Sequence, residues 1–353
     1  DSLAELLLFA KPEATAAVTF NFDGCCGEEY FIDCKGIHLF DDRKIPVINI
    51  VVDHPFYYHK FLPFLPKDYC QISIDREHEA YLQYYFPEIK RGLFLPLAGT
   101  SLWEEDTLPK WEERPYDVVF TGNYTPLSKF EPTIERHGKE YADFYYGIIE
   151  DFKKHPHQGM DIGIREHLLS EVEDITEDGV KEMMPNMIMI DLYVRNYFRG
   201  KVVQTLVDAG VSVHCFGAGW EFLPCEHPEN LIKEGGVDSL ACLQALSKAK
   251  VSLNVMPWFK DGAHDRVFNS MLNGAVCFTD WSRYLTENLR DGEDIFFYEL
   301  DALECLPDMV QGILENRKKW EHMQKAAYET AEKSHTWEHR AGAVHKEILS
   351  KIR

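Results

Sequence analysis

The chain has 353 residues, 45% of them hydrophobic, and its 59 Asp and Glu against 37 Lys and Arg give a net charge of −22. This length and apolar content favour a globular protein of two domains over a disordered chain. The acidic balance repels polyanions and argues against a nucleic-acid partner, and the basic cluster at 317–319 is predicted to be an exposed helix face.

The nine cysteines are scattered and odd in number, without the paired spacing of a zinc site or a disulfide framework. We expect reduced thiols in a cytoplasmic protein with no bound metal. No apolar run approaches the ~20 residues that span a bilayer, and the first residues lack the basic region of a signal peptide. The short apolar segment 3–9 has no strand–helix unit before it, which is consistent with a first domain whose beginning lies outside this sequence.

Apolar runs of strand length alternate with helical patterns along the chain, and this alternation predicts an α/β fold with parallel sheets. The first part contains four predicted strands and one helix, at 16–20, 47–52, 71–73, 92–96 and 76–85. Residues 101–115 lack a periodic apolar pattern and end at Arg114-Pro115, which favours extended backbone. They are predicted to be the interdomain linker.

A second series of strands and helices begins with the predicted strand 117–120. Residues 128–200 are mostly amphipathic helix, too long for one crossover, and are predicted to be a helical insertion. Regular units follow and predict a second Rossmann-like domain: helix 199–208, strand 211–216, helix 238–248, strand 250–255, helix 265–273, strand 275–279, helix 282–290, strand 294–297 and helix 301–314. The predicted domains are 1–113, 114–333 and a final helix at 334–353.

Three predicted strand ends have the character of a ligand site. In open α/β sheets, ligands bind at the carboxyl ends of the strands, where glycine permits close approach and helix N-termini present free amides. One turn contains Gly122 and Asn123, a second contains Gly217, Gly219 and Trp220, and the third is the loop 256–266. Each of the first two, taken alone, is equally consistent with a structural turn.

The loop 256–266 carries the most specific pattern. Lys260, His264 and Arg266 place three potential cations at or just before a helix N-terminus, where the helix dipole adds partial positive charge. In an otherwise acidic chain this pattern predicts a diphosphate site. The alternative is that Arg266 pairs with a neighbouring carboxylate and that His264 is a loop residue.

Polar residues further along are candidates for the rest of the ligand. Asn269, one turn into the predicted helix, can donate and accept hydrogen bonds at once, as ribose hydroxyls require. Asp280 and Ser282 follow the strand 275–279 and either contact a sugar or cap the next helix. The cap is the favoured role for Ser282.

Asp53 and His54 follow the predicted strand 47–52 of the first domain. A carboxylate or imidazole that faces a cleft at the end of a strand can take the proton of a bound hydroxyl group. These two residues are therefore the predicted catalytic residues. The alternative is that Asp53 caps the following turn and that His54 is a buried, hydrogen-bonded residue.

The run "KVSLNVMPWFKDGAHDRVFNSMLNGAVCFTDWSRYLTENLRDGEDIFFY" at 250–298 resembles the donor-domain signature of CgeB-like glycosyltransferases, a branch of the GT-B superfamily. The resemblance extends more weakly through "YDVVFTGNY", "FGAGW" and "HTWEHR" over most of 116–345. The segments "VTFNFDG", "IPVINIVVDHPFYYH" and "SIDREHEAYLQYYFP" resemble the N-terminal domain often found with it. This resemblance implies a GT-B fold, with two Rossmann-like domains facing a cleft and a final helix that crosses back to the first.

The resemblance also implies an activity. It implies metal-independent transfer of a hexose from a nucleotide-diphosphate sugar, with a UDP-sugar the favoured donor, to an unidentified carbohydrate, glycolipid or protein acceptor, without a further cofactor. Lys260 and Arg266 stand where such enzymes neutralise the departing diphosphate. The alternatives are a sugar epimerase or phosphorylase on the same scaffold, and a non-catalytic spore-coat or surface-associated interaction protein that keeps the fold.

The chain departs from the family pattern at one point. Many retaining members carry two glutamates eight positions apart, and the matching positions here are Asp261 and Asn269. The resemblance would place both at the donor, but neither is glutamate. The retaining or inverting outcome therefore stays open.

Five apolar residues near the C-terminus recur at spacings of three and four: Trp337, Ala341, Val344, Ile348 and Ile352. This spacing predicts an amphipathic helix with one apolar stripe. Because the final helix of the resembled fold returns to the first domain, the stripe is predicted to pack there, with Trp337 near the interdomain junction.

Overall fold

The computed structural model describes residues 2–11, 14–32 and 35–351; Ile352 of the predicted stripe lies outside them. The chain forms two compact units. The first comprises Asp1–Leu97, Leu168–Ile188 and Glu338–Arg353, and the second comprises Ala98–His167 and Met189–Trp337. Each unit contains one parallel sheet with flanking helices, which confirms the predicted α/β fold class.

The elements from the N-terminus to residue 183 are α1 (Ser2–Phe9), β1 (Ala17–Phe20), α2 (Leu39–Arg43), β2 (Val47–Val51), β3 (Tyr69–Ser73), α3 (Arg76–Tyr85), β4 (Lys90–Phe94), β5 (Tyr116–Thr121), α4 (Glu131–Glu135), α5 (Lys139–Lys154), α6 (Met160–Glu171) and α7 (Glu177–Met183). The elements that follow are α8 (Ile188–Asp208), β6 (Val213–Phe216), β7 (Leu231–Gly235), α9 (Ser239–Ser247), β8 (Ala249–Asn254), α10 (Asp265–Leu272), β9 (Val276–Asp280), α11 (Arg283–Asn288), β10 (Phe296–Tyr298), α12 (Leu306–Leu314), α13 (Arg317–Ser334) and α14 (Trp337–Lys351).

The sheet of the first unit has the strand order β1-β2-β3-β4, with parallel pairs throughout. Strands β2 and β3 are buried along their whole length, as expected for central strands of a parallel sheet covered on both faces. Apolar residues of helix α14 pack on one face of this sheet, against Ile48, Ile50, Ile72 and Leu95.

The buried face of α14 includes Val344 and Ile348 of the predicted stripe but not Ala341. Ala343, Val344 and Ile348 pack on the sheet, and Arg340 is buried and donates from Nε to the Pro96 carbonyl at 2.6 Å. Ala341, which the stripe places inward, is exposed. The long aliphatic part of an arginine side chain can cover apolar surface, so a charged residue can be buried at a position that the apolar pattern does not include.

The sheet of the second unit has the strand order β10-β9-β8-β5-β6-β7, again with parallel pairs throughout. From the central β5 the chain first builds β6 and β7 on one side and then β8, β9 and β10 on the other. The order therefore reverses between β5 and β8, and such a switch point opens a crevice at the carboxyl ends of the two strands. Sequence analysis missed β7, an edge strand in which only Leu231 is buried.

The segment predicted to be a linker packs on the second unit instead. The hydroxyl of Ser101 donates to the Leu272 carbonyl at 2.9 Å, and Leu102 N donates to Asn273 Oδ1 at 3.1 Å. The buried Arg114 guanidinium donates to the carbonyls of Leu246, Ala249 and Asn273. The boundary between the units thus lies at 97/98. The sequence predicted 113/114, because these long-range bonds leave no trace in local periodicity.

Five helices, α4 to α8, occupy the stretch predicted to be an insertion in the second domain. Residues Leu168–Ile188 group with the first unit instead. Within that unit, Lys181 Nζ donates to the Tyr85 carbonyl, and the Tyr84 hydroxyl donates to Glu177 Oε2 at 2.9 Å. Side-chain bonds from α7 to α3 therefore fix this part of the insertion.

Candidate functional site

A pocket of about 340 Å³ opens in the second unit at the switch point between β5 and β8. Three elements build it: the last residue of β5, the first turns of α10 and one face of α9. Its lining residues are Thr100, Thr121, Ser239, Cys242, Leu243, Leu246, His264, Asp265, Arg266, Asn269 and Trp337. The pocket therefore lies where parallel α/β sheets bind their ligands.

Arg266, the second residue of α10, is the cation of this pocket. Its side chain is 7% exposed, its Nη1 donates to Asn254 Oδ1 at 2.5 Å, and its guanidinium lies 5.3 Å from the ring centre of Phe120. Burial lowers the pKa of Arg266, but a guanidinium stays protonated in proteins. Among the described residues, its hydrogen-bond acceptor is an uncharged amide rather than a paired carboxylate.

His264 precedes α10 and is its N-cap. Its Nδ1 lies 3.1 Å from Arg266 N and 2.6 Å from Asp265 Oδ1, so the ring is fixed by the first turn in either tautomer. Burial, followed by the charge of Arg266, lowers the pKa of His264 to about 4. This lowered pKa favours a neutral, half-buried imidazole at pH 7, whereas the sequence predicts a third cation at this position.

Asp265 and Asn269 share the first turns of α10 with Arg266. Burial alone would raise the pKa of Asp265, but His264 and Arg266 hold it at about 2, so the carboxylate is ionised. Asn269 lines the pocket; its Oδ1 accepts from Thr100 N at 2.8 Å, and its Nδ2 donates to Asp265 Oδ2 at 3.1 Å. Asp265 therefore offers the pocket a hydrogen-bond acceptor that sequence analysis did not single out.

Lys260, Asp261 and Asp280 were predicted to contact the ligand but lie outside the pocket lining. Lys260 Nζ donates to the Pro156 carbonyl, and the buried Asp261 carboxylate accepts from Arg283 Nη1 at 3.0 Å. Asp280 accepts from Met256 N at 2.7 Å, and its burial raises the pKa of the carboxyl to about 7. Ser282 accepts from Leu285 N at 3.2 Å and so caps α11.

The two glycine turns bind each other. A Cβ on Gly217 would lie 2.2 Å from the Gly122 carbonyl oxygen, and one on Gly219 would lie 1.9 Å from the Tyr124 carbonyl oxygen. Asn123 Oδ1 accepts from Ala218 N at 2.9 Å. None of these predicted ligand residues lines the pocket, and glycine at 217 and 219 is explained by the close approach of the two backbones.

Trp220 was also predicted to contact the ligand, yet its side chain is fully buried. Its Nε1 donates to the Gly122 carbonyl at 2.8 Å, and its ring stacks on Tyr124 with the ring centres 5.3 Å apart. Trp220 therefore packs against the turn that follows β5. Of the residues of β5, Thr121 lines the pocket.

In the first unit, Asp53 and His54 follow β2, and their side chains have different surroundings. The buried His54 accepts from Phe56 N at 3.2 Å and caps the turn Pro55–Tyr58, so the alternative of a buried, hydrogen-bonded residue describes it. Asp53 is half-buried and accepts from Asn21 Nδ2 at 3.3 Å. Burial and then the nearby Asp53 carboxylate raise the pKa of the Tyr58 hydroxyl, which bonds to Asp53.

The loop after β1 orients Asp53 and was not found from the sequence. Asn21 and Phe22 have φ angles of 45° and 67°, in the left-handed region that non-glycine residues rarely adopt. Asn21 Oδ1 accepts from Val52 N at 2.9 Å, and Phe22 N donates to Asn49 Oδ1 at 3.2 Å. Side-chain bonds thus hold a strained backbone next to the carboxylate, an arrangement that clusters at functional sites.

Part of the pocket lining had a readable signal in the sequence. Ser239, Cys242, Leu243 and Leu246 recur at spacings of three and four on α9, which places them on one helix face. Thr100 and Trp337 reach the pocket from segments more than two hundred residues apart in the chain, and no local pattern predicts that.

A pH prediction follows from the buried histidines. Burial lowers the pKa of His264 in the second unit and of His59 in the first to about 4, against 6.5 in an unfolded chain. Between pH 6.5 and 4 the unfolded state therefore binds more protons, so their contribution to stability is complete above pH 6.5 and is lost as the pH falls towards 4.

Asp280 has the opposite effect on the pH dependence of stability. Its pKa in the folded state is raised to about 7, so its contribution to stability is present at low pH and is lost as the pH rises from about 4 to 7. The variant His264→Asn keeps an N-cap and removes the titrating ring. We expect urea-unfolding curves to show a smaller stability loss from pH 7 to 5 in this variant than in the unchanged chain. Equal losses in both would contradict the assignment of a buried neutral His264.

Among the described residues, no helix combines the length and apolar character needed to cross a membrane.

The two parallel sheets with flanking helices match the α/β fold of GT-B glycosyltransferases. Residues 199–346, which contain α10 and most of the pocket lining, match the family model described as glycosyl transferase-like. The finer resemblance to the CgeB-like branch stays a prediction. Among curated proteins, no sequence matches this chain.

Three solved structures are similar to this chain, and the first two have TM-scores of 0.51 and 0.50. Anabaena HepE in complex with UDP has 9% sequence identity and a TM-score of 0.51, with 99% of this chain and 82% of that chain covered. A chain of the GtfA/B complex has 10% identity and a TM-score of 0.50, with 99% and 59% covered. Sucrose-phosphate synthase from Thermosynechococcus elongatus has 11% identity and a TM-score of 0.47, with 87% and 68% covered. At such identities the similarity is one of fold.

Proposed function

We propose that this chain is a glycosyltransferase that binds a nucleotide-diphosphate sugar in the pocket between β5 and β8. The observation that carries the proposal is the buried Arg266 guanidinium in the first turn of α10, whose hydrogen-bond acceptor is the uncharged Asn254. Buried charges in proteins are normally paired. A cation held in this way at a pocket wall attracts an anion, and the N-terminus of the helix favours the same sign of ligand.

The other walls of the pocket suit the remaining parts of a nucleotide. Leu243, Leu246 and Trp337 offer apolar and aromatic surface for a base, and the Trp337 side chain is 39% exposed. The Asp265 carboxylate accepts hydrogen bonds, as ribose hydroxyls require. UDP is the first nucleotide to test, because HepE, which shares the fold, was solved in complex with it.

The proposed reaction transfers the sugar to an acceptor hydroxyl. The hydroxyl oxygen forms a bond to the anomeric carbon, the bond from that carbon to the diphosphate oxygen breaks, and negative charge grows on the leaving diphosphate. Arg266 would stabilise that charge. If the configuration inverts, Asp53 would take the hydroxyl proton, whereas His54 is engaged in capping its turn.

The acceptor in this proposal is a carbohydrate, glycolipid or protein, and the donor sugar is a hexose. We also propose a cytoplasmic location, because the described cysteines are free thiols, which persist in reducing compartments.

A thermal-shift screen with UDP, GDP, CDP, ADP and dTDP tests the donor site. A ligand that binds the native state alone increases the free energy of unfolding, by about 2.7 kcal/mol at a concentration of 100 times Kd. The melting temperature rises as a result. We expect UDP to give the largest shift. If none of the five diphosphates shifts the melting temperature, the proposed function is wrong.

We further expect the reaction to proceed without a divalent ion, since Arg266 supplies positive charge at the pocket. UDP release from UDP-glucose should stay within about twofold when EDTA is added. The described residues include one group with metal-ligand geometry, the exposed His157, Glu299 and Asp301. Activity that EDTA abolishes and Mn²⁺ restores would contradict the prediction, and its loss in His157→Ala would then locate the ion.

A further inference from the structure

Asn254 lies directly behind Arg266, at the carboxyl end of β8, and its side chain is fully buried. Its Oδ1 accepts from Arg266 Nη1 at 2.5 Å, and its Nδ2 donates to Thr279 Oγ1 at 2.8 Å. Its backbone carbonyl accepts from the Tyr298 hydroxyl at 2.6 Å. Bonds to β9 and β10 therefore fix the amide, and the amide fixes the direction of the guanidinium.

The chemical identity of this partner matters as much as its position. Aspartate has nearly the shape of asparagine, would accept the same bond from Nη1, and would complete a buried ion pair with Arg266. Asparagine supplies the bond without the charge. The Asp265 carboxylate, which also lines the pocket, accepts from Asn269 Nδ2 and lies close to His264.

We infer that Asn254 is a positioning residue whose uncharged amide orients the Arg266 guanidinium and leaves its charge available to the phosphate groups of a nucleotide. The inference rests on the proposed function, because it assumes that the anion at Arg266 is the diphosphate of the donor. In this arrangement β8 must provide a hydrogen-bond acceptor without negative charge. A carboxylate at this position would pair with the guanidinium and weaken the ligand site.

The variant Asn254→Asp separates the two effects. We expect its Kd for UDP to rise roughly 10- to 150-fold, the scale of a lost charge-assisted hydrogen bond. Uridine, which lacks the phosphates, should bind within about twofold of its affinity for the unchanged chain. The melting temperature without ligand should change little, because the ion pair with Arg266 offsets the desolvation of the carboxylate and the loss of the Nδ2 bond to Thr279. Titration calorimetry with UDP and with uridine, together with a thermal melt, measures all three quantities.

Asn49 of the first unit provides a matched control. It is also a fully buried asparagine whose Oδ1 accepts hydrogen bonds, from Thr19 Oγ1 and Phe22 N, but those donors are uncharged. Asn49→Asp should therefore lower the melting temperature, because it buries a carboxylate without a cation, and should leave the Kd for UDP unchanged. A second variant at the site, Asn254→Ala, removes the acceptor without adding charge. It should bind UDP more weakly than the unchanged chain but more tightly than Asn254→Asp, with uridine affinity unchanged.

The outcomes separate this inference from the proposed function. If the unchanged chain binds UDP and Asn254→Asp binds it equally well, or loses UDP and uridine affinity to the same extent, the positioning role is wrong while the donor site stands. If Asn254→Asp fails to fold, UDP affinity of Asn254→Ala equal to that of the unchanged chain would overturn the role, since the acceptor that orients Arg266 would then be dispensable. If the unchanged chain binds no nucleoside diphosphate, both proposals fail.

Discussion

Arg266→Ala is expected to weaken UDP binding by ~1.5–3 kcal/mol, about 10- to 150-fold, while uridine binding changes little. The reason is that Arg266 is the buried cation in the first turn of α10, where the helix N-terminus adds a favourable field for phosphate. Calorimetric titration with each ligand measures the difference. Equal losses for UDP and uridine would show that the guanidinium acts on the whole pocket rather than on the phosphates.

The same substitution should also lower the free energy of unfolding. The Arg266 side chain fills space beside Phe120 and supplies the donor that satisfies Asn254 Oδ1, so alanine leaves both a cavity and an unpaired buried acceptor. Arg266→Lys keeps the charge but not the planar fork, and should retain part of the UDP affinity. Arg317→Ala removes a guanidinium from exposed ion pairs with Glu321 and Glu112 and should leave both the stability and the UDP affinity nearly unchanged.

Local sequence patterns predicted the elements that form the pocket. The apolar runs located β5, β8 and β9 to within one or two residues, and the polar loop before α10 pointed to the helix N-terminus at which Arg266 lies. These features depend on periodicity, which a single sequence displays. The reversal of strand order between β5 and β8 depends on tertiary pairing, yet it decides where the crevice opens.

The charges of the site could not be read from residue types. Lys260 and His264 look like cations of the pocket in the sequence, but Lys260 lies outside the pocket lining and donates to the Pro156 carbonyl, and burial lowers the pKa of His264. Both outcomes depend on contacts more than a few residues away and on desolvation. The glycines at 217 and 219 were similarly ambiguous, because the backbone that approaches them belongs to the turn after β5, about a hundred residues earlier.

The apolar pattern of the C-terminal helix correctly predicted the helix and the packing of Val344 and Ile348, but it misplaced Ala341. Spacing predicts that Ala341 points inward, whereas the structure leaves Ala341 exposed and packs Ala343 on the first sheet. The pattern overlooks the buried Arg340, whose guanidinium donates to the carbonyls of Pro96 and Leu97. Ala341 and Ala343 therefore form a matched pair, because they lie on the same helix but one is exposed and the other packs on the sheet.

Ala343→Asp is expected to lower the free energy of unfolding of the first unit by ~1–3 kcal/mol, because it places a carboxylate against the apolar cluster of Ile48, Ile50 and Ile72. Ala341→Asp carries the same helix-propensity penalty on the exposed face and should cost no more than ~0.7 kcal/mol. Hydrogen exchange of the β2 and β3 amides reports the stability of this sheet directly. UDP affinity should be unchanged in both variants, since the pocket is built from the second unit. Faster exchange in Ala341→Asp than in Ala343→Asp would instead support the stripe predicted from the sequence, and equal rates in the two variants and the unchanged chain would mean that α14 does not stabilise the sheet.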